Sequence, residues 1–322
     1  MAATTYDDAM GAALERLQGI GYEWGPSFVN HAPMAAEALA RLGYTDDVPA
    51  WVDRNIQLRR YYDPPEQRWE LTSAQEDWES ALGEFSRVAD WAALFERELA
   101  GEQWTNVVAR WWPRLLPGMS GALTHGVIRT AHAIRALAMA SGDTALQRSE
   151  LAQGLGYWAA RYWHRGDADR TADTAPAARE TLPGDSAAAL RALDGLVAES
   201  SGRYAVTPQS FPVPLIHSIT APAAVRLVCE YLPPDQHQPS YQAARRCSQS
   251  IAGQFGAAQS ANAAAPAAPE DPAQIVAAAV ELGDEHSIKL AEVAFRYHCA
   301  APDERYLAAS RAATSQIARF TR

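Results

Sequence analysis

Residues Met119–Ala140 read MSGALTHGVIRTAHAIRALAMA. Alanine, leucine and arginine are strong helix formers, and period-2 runs of valine, isoleucine and threonine are scarce here and throughout the chain. The spacing predicts one long helix over about Met119–Ala140, stopped by Gly142. His125 and His132 lie seven positions apart on it. Seven steps of 100° fall about 20° short of two turns, so both imidazoles point the same way.

Working outward, the same pattern recurs. Asp7–Leu17 reads as an amphipathic helix, and Ala32–Leu42 as another, with Pro33 in its first turn and Gly43 as its stop. Trp78–Ala100 carries helical segments with Trp91, Leu94 and Phe95 on one face. Gln103–Leu116 holds Trp104, Trp111 and Trp112 and ends at Pro117-Gly118, and Ala145–Tyr162 follows the long helix. Ala221–Tyr231 starts after Thr220 with Pro222 in its first turn. Tyr241–Phe255, Ile275–Tyr297 and a last helix near Arg305–Phe320 complete the set. Two segments read as loops or insertions. One is 165–209, polar, with a short helix near Ser186–Glu199; the other is 256–272, rich in Ala, Pro and Ser. No internal repeat is visible. The expectation is a single all-α domain over residues 1–322, with a metal site in its helical core.

Composition narrows the function. The 322 residues carry a net charge of −10, with a pI near 5.3. That argues against nucleic acid or an anionic membrane as partner, because phosphate binding needs a positive field. Cys229, Cys247 and Cys299 form no CxxC and leave an odd number, which fits a reducing compartment. The acidic N-terminus lacks a basic n-region, and no long uncharged apolar run suggests a membrane span. The expectation is a cytoplasmic protein.

Several familiar sites are discounted. Gly154-Leu-Gly156-Tyr-Trp-Ala159 matches GxGxxA formally, but no strand precedes it and the pattern around it is helical. Ser120, in GMSGA, lacks the second glycine of GxSxG. HExxH, Glu-x-x-His, the usual start of a 2-His-1-carboxylate triad and the P-loop are all missing.

What stands out is histidine and lysine. His31, His125, His132, His217 and His286 sit in apolar or helix-terminal contexts. A lone histidine on an apolar face is more often a hydrogen-bonded core residue than a ligand. Five on four elements change the balance, because each buried imidazole needs a partner and one shared metal serves several. Imidazole suits Zn, Fe, Cu and Ni alike. His164 and His298 have weaker cases, and His237, in a Pro/Gln-rich turn, is expected to be exposed. Of the 28 basic residues 27 are arginine; the one lysine is Lys289. Lys289 lies three residues after His286 and shares a face with Leu290 and Val293, toward the core. Arginine effectively cannot lose its proton when buried, and lysine can. A neutral amine can take up CO2 and become a carbamate, a carboxylate-like ligand. The alternative is a salt bridge to Asp284 or Glu292.

Four blocks in order resemble the questin oxidase-like family. They are Asn30-His31-Ala32-Pro33-Met34; Pro117-Gly118 with Thr124-His125-Gly126-Val127-Ile128-Arg129-Thr130-Ala131-His132-Ala133; Phe211-Pro212-Val213 leading to His217-Ser-Ile-Thr220-Ala221-Pro222; and His286-Ser-Ile-Lys289-Leu290. The resemblance covers residues 10–312. It implies oxidative ring opening of anthraquinones in aromatic polyketide biosynthesis, with O2 and a small polycyclic aromatic substrate as partners. It also implies a mononuclear non-haem Fe(II) site of histidines and a carboxylated lysine, which the match carries onto His31, His125, His132, His217, His286 and Lys289. That is one histidine too many for a six-coordinate iron with an open position, so one of the five is expected to stand back from the metal. Trp104, Trp111, Trp112, Tyr157 and Trp158 are candidates to wall a flat substrate, although tryptophans at helical spacing are more often core. Arg129, one turn beyond His125, is a candidate partner for a substrate enolate or carboxylate, with a salt bridge to a neighbouring helix as the alternative. The rival functions are an NADPH-dependent Baeyer–Villiger monooxygenase, weakened by the missing dinucleotide loop, and a non-catalytic helical binding protein.

Overall fold

The computed structural model describes residues 4–142, 145–164, 183–207, 209, 211–256 and 271–320. Among these the fold is all-α, as expected. Its α-helices are α1 (Tyr6–Leu17), α2 (Ala32–Arg41), α3 (Val48–Arg59), α4 (Gln75–Ala81), α5 (Val88–Gly101), α6 (Trp104–Leu115) and α7 (His125–Met139). Then come α8 (Ala145–Ala160), α9 (Ser186–Val206), α10 (Pro212–Val228), α11 (His237–Phe255), α12 (Pro272–Leu282), α13 (Glu285–Ala300) and α14 (Glu304–Phe320). The strands β1 (Glu23–Trp24) and β2 (Phe28–Val29) form a small antiparallel hairpin with Glu23 opposite Val29.

Helix α7 is central and packs on α2, α8 and α10, and α13 packs on both α2 and α10. One apolar cluster joins α4–α11, α13 and α14; a smaller one joins α1–α3, with Ala136 of α7 and Ile288 of α13 reaching into it. Glycine sets the closest approach. A Cβ at Gly126 would lie 2.6 Å from the Trp158 Cα, and one at Gly156 2.9 Å from the Ala92 nitrogen. Of the GxGxxA glycines, Gly154, where a Cβ would lie 3.2 Å from the Thr130 Cα, lets α8 press against α7, and Gly156 lets it press against α5.

The boundaries differ from the sequence reading in ways that matter. The helical segments expected over Trp78–Ala100 are α4 and α5, separated at Gly83, whose φ of +78° turns the chain. The 165–209 segment is mainly helix from residue 183 onward: α9 has 21 residues, is capped by Asp185, and packs on α10, α11 and α14. Residues 165–182 and most of the 256–272 segment lie outside the described residues. Helix α3 fell outside the reading altogether.

Helix α10 begins at Pro212, nine residues before the expected start, so that Pro222 is interior. Proline lacks the N–H that would bond the Ser218 carbonyl. The Ser248 hydroxyl of α11 donates to that carbonyl instead, at 2.8 Å. The run Pro212–Tyr231 is long and apolar enough to cross a membrane by length and mean hydropathy alone, although Arg226 and Glu230 interrupt it. Its most apolar stretch is 83% buried, as befits a core helix. The single Ile275–Tyr297 helix is two helices. Gly283, at φ +73°, ends α12, and Asp284 caps α13 by accepting the backbone N–H of His286 and Ser287.

Candidate metal centre

Four elements bring four histidines to one point. His31 follows the hairpin and precedes α2. Its position is fixed by Asn30, whose side chain donates to the Gly21 carbonyl at 2.9 Å and accepts the Ala32 N–H at 3.0 Å. His125 opens α7, His217 lies within α10, and His286 lies in the first turn of α13. All four are buried. Ring centroids are 4.6 Å apart for His31–His125, 4.5 Å for His31–His286 and 4.6 Å for His125–His217.

The hydrogen bonds decide the tautomers. His125 Nδ1 lies 2.5 Å from the Ala122 carbonyl. His217 Nδ1 lies 3.2 Å from the Val213 carbonyl and 3.3 Å from that of Pro214. A carbonyl only accepts, so each Nδ1 carries the proton and each Nε2 carries a lone pair. The Nδ1 atoms of the other two face carboxylates: His31 toward Glu285 at 3.9 Å, and His286 toward Asp284 at 3.6 Å. Their Nε2 atoms are thereby left toward the cluster. His31 Nε2 lies 2.7 Å from His125 Nε2, and His217 Nε2 lies 3.1 Å from the same atom. His286 Nε2 is buried without a hydrogen-bond partner.

These distances fit a metal. Nitrogens bound at ~2.1 Å and at right angles are about 3 Å apart, close to the two contacts at His125. Between His125 and His217 two lone pairs face each other, which a cation relieves. One ligand nitrogen from each of His31, His125 and His286 lies within 4.8 Å of the other two. The pKa values of His31, His125 and His217 lie well below the usual value, chiefly because burial disfavours the charged ring and also because Lys289 repels a second positive charge. Neutral imidazole is the metal-binding form.

Lys289 lies where the sequence predicts, fully buried beside these rings. Burial brings its pKa down to about 8. Neither expected salt-bridge partner is engaged with it. Asp284 caps α13 and faces His286, and Glu292 pairs with Arg135 and Arg296 at 2.6 and 2.9 Å. Among the described residues Lys289 makes no ion pair.

His132 stands apart from the four. It shares the face of His125, but seven residues of rise put it about 10 Å along α7, beyond a common metal. Its Nδ1 donates to Glu37 at 2.7 Å. Glu37 also binds Arg135, which binds Glu292, so a buried charge network joins α2, α7 and α13. A small cavity lies there, lined by His132, Thr220, Lys289, Glu292 and Arg296 among others.

Other sequence candidates have different partners. The guanidinium of Arg129 binds both carboxylate oxygens of Glu150, at 2.7 and 2.8 Å, with Gln153 at 3.1 Å. The expected substrate-facing cation is thus an ion pair, since a buried guanidinium needs an anion. Trp112 is buried against Trp158 and donates to Ser240 at 2.9 Å. Tyr157 stacks on Tyr22 and donates to Glu23 at 2.9 Å. Trp111 belongs to a cluster with Trp78, Trp91 and Phe95, and Trp104 packs on Tyr231. His237, expected to be exposed, is buried between Ser186 (2.6 Å) and the Leu232 carbonyl (3.2 Å), because α9 covers it.

Sequence reasoning missed Glu285 and Glu37, and offered Asp284 only as a partner for Lys289. Glu285 faces His31 and is held at 2.8 Å by Arg59 of the unforeseen α3. The signal existed in Gly283-Asp284-Glu285-His286, a helix stop followed by a cap.

The family model described as Questin oxidase-like matches residues 28–210. That span includes His31, His125 and His132 and ends before His217, His286 and Lys289. No curated protein matches the chain.

Proposed function

The chain belongs to the questin oxidase-like family, and from that premise we propose that it is a non-haem iron oxygenase that uses O2 to cleave a ring of a polycyclic quinone of the anthraquinone type. Family membership supports an oxidoreductase acting on polyketide-type substrates. The observation that carries the finer reading is the convergence of four buried imidazoles with Nε2 inward and Nδ1 toward an oxygen. In this reading His31, His125, His217 and His286 hold the iron through Nε2, and Lys289, carboxylated by CO2, supplies the anionic ligand. Ferrous iron bound there contributes a redox centre for dioxygen and a template for the substrate.

The chain's own groups supply orientation. Glu285, held by Arg59, lies 3.9 Å from His31 Nδ1, and Asp284 lies 3.6 Å from His286 Nδ1, so each carboxylate orients its ring electrostatically. Such partners fix ring direction and raise ligand basicity. His132 keeps its proton on Glu37 and serves the packing of α7 against α2. The small cavity beside Lys289 has room for little more than one small molecule.

Oxygen consumption by the Fe(II)-loaded protein tests the reading, with a reduced anthraquinone as substrate and no NADPH. Uptake coupled to ring-opened product is the expected result. Uptake only with NADPH favours the Baeyer–Villiger rival, and no uptake with either rejects an oxygenase for this substrate class.

A further inference from the structure

His125 differs from its neighbours in how its Nδ1 is satisfied. His217 lies inside a regular helix and uses the carbonyls three and four residues before it. His125 begins α7 and has no preceding right-handed turn. In its place stand three successive left-handed residues: Ala122 (φ +45°), Leu123 (φ +51°) and Thr124 (φ +69°). None is glycine, and threonine is β-branched, so the conformation is disfavoured at each position. Its outcome is specific. The Ala122 carbonyl receives both the backbone N–H of His125 and its Nδ1–H, the latter at 2.5 Å.

The turn is held by its surroundings. A Cβ at Gly121 would lie 1.8 Å from the Arg161 carbonyl oxygen, and one at Gly118 2.2 Å from the Tyr162 ring. Ser120 donates to the Trp163 carbonyl at 3.2 Å. The stretch after α8 therefore clamps the turn from outside. Strain held by surrounding structure is characteristic of functional sites.

We propose that the left-handed turn Ala122–Thr124 is a positioning device that fixes His125 in its Nδ1–H tautomer, so that Nε2 presents a lone pair to the metal-binding point before metal arrives. The inference rests on the reading of the four-histidine cluster as a metal site. It makes Ala122 a positioning residue acting through its carbonyl.

The test combines ¹⁵N NMR of histidine-labelled, metal-free protein with anaerobic Fe(II) titration. The His125 signals are assigned by their loss in His125→Gln. The wild type is expected to show a protonated Nδ1 at His125. Ala122→Val, whose β-branch opposes a positive φ, is expected to mix the tautomers and weaken iron binding about 10–100-fold, the usual effect of losing a ligand's outer partner. Ala122→Gly is expected to keep both properties and to raise the melting temperature. An Nε2–H tautomer in the wild type, or unchanged tautomer and affinity in Ala122→Val, overturns the proposal. If Ala122→Val does not fold, the wild-type spectrum decides alone: Nδ1–H supports the proposal and Nε2–H overturns it. Nδ1–H in a wild type that binds no iron rejects the metal reading instead, while iron binding with Nε2–H rejects only the role of the turn.

Discussion

Lys289 is the residue on which the iron reading makes its sharpest demand. Its amine is buried, its pKa is brought down to about 8, and its nearest acids have other partners. Carboxylation turns it into an anionic oxygen donor. Lys289→Arg is therefore expected to fold and to lose metal, since arginine forms no carbamate, and Lys289→Glu to recover part of it; elemental analysis of both variants checks this, and full metal in Lys289→Arg refutes it. His237 makes the contrasting case. Buried and bonded to Ser186, it is expected to cost about 1–2 kcal/mol when changed to alanine, read by denaturant unfolding, with metal content unaltered. The clustered histidines and the buried lysine were legible in the sequence because histidine and lysine on apolar faces are chemically conspicuous. Glu285 was not, because an acid at a helix start ordinarily reads as solvated. The set-back position of His132 was hidden too: periodicity gives direction around a helix and says nothing of which neighbour lies two turns along.

At the scale of elements, glycine decides how closely α7 and α8 approach. Gly126 follows His125 directly, and a methyl group there meets the Trp158 backbone. Gly126→Ala is expected to destabilise the protein by about 1–3 kcal/mol, as overpacking does, and to weaken metal binding by shifting the ligand beside it. Thermal melts with and without Fe(II) measure both effects; a variant as stable as wild type contradicts the packing argument. Apart from α3, helix existence was legible from the Ala-rich period, while boundaries were not. The break at Gly283-Asp284 carried its stop and cap in the sequence, yet the apolar period runs through it. The left-handed entry to α7 carried no signal at all, because Ala-Leu-Thr favours ordinary conformations. Tertiary clamping against Arg161 and Tyr162 overrides that preference.

The whole molecule stores charge and neutrality in its interior, and pH reads both. Glu37, surrounded by Arg135 and His132, has its pKa held down to about 2 against the penalty of burial. A depressed carboxylate stabilises fully above its unfolded value, about 4.3, and that stability is lost as pH falls toward 2. The histidines act in the same direction at higher pH. His31, His125 and His217 resist protonation when folded, whereas unfolded histidine takes up protons below about 6.5. The metal-free protein is therefore expected to melt at a lower temperature at pH 5.5 than at pH 7.5, and to lose further stability below pH 4; equal melting temperatures at pH 5.5 and 7.5 contradict neutral buried rings. These rings have a common purpose only if one ion sits among them. The most direct measurement is elemental analysis after anaerobic reconstitution with Fe(II), comparing wild type with His217→Ala. The expected result is one iron per chain in the wild type and almost none in the variant, with helix content unchanged. Wild-type protein without iron, or a His217→Ala variant that keeps it, would contradict the site.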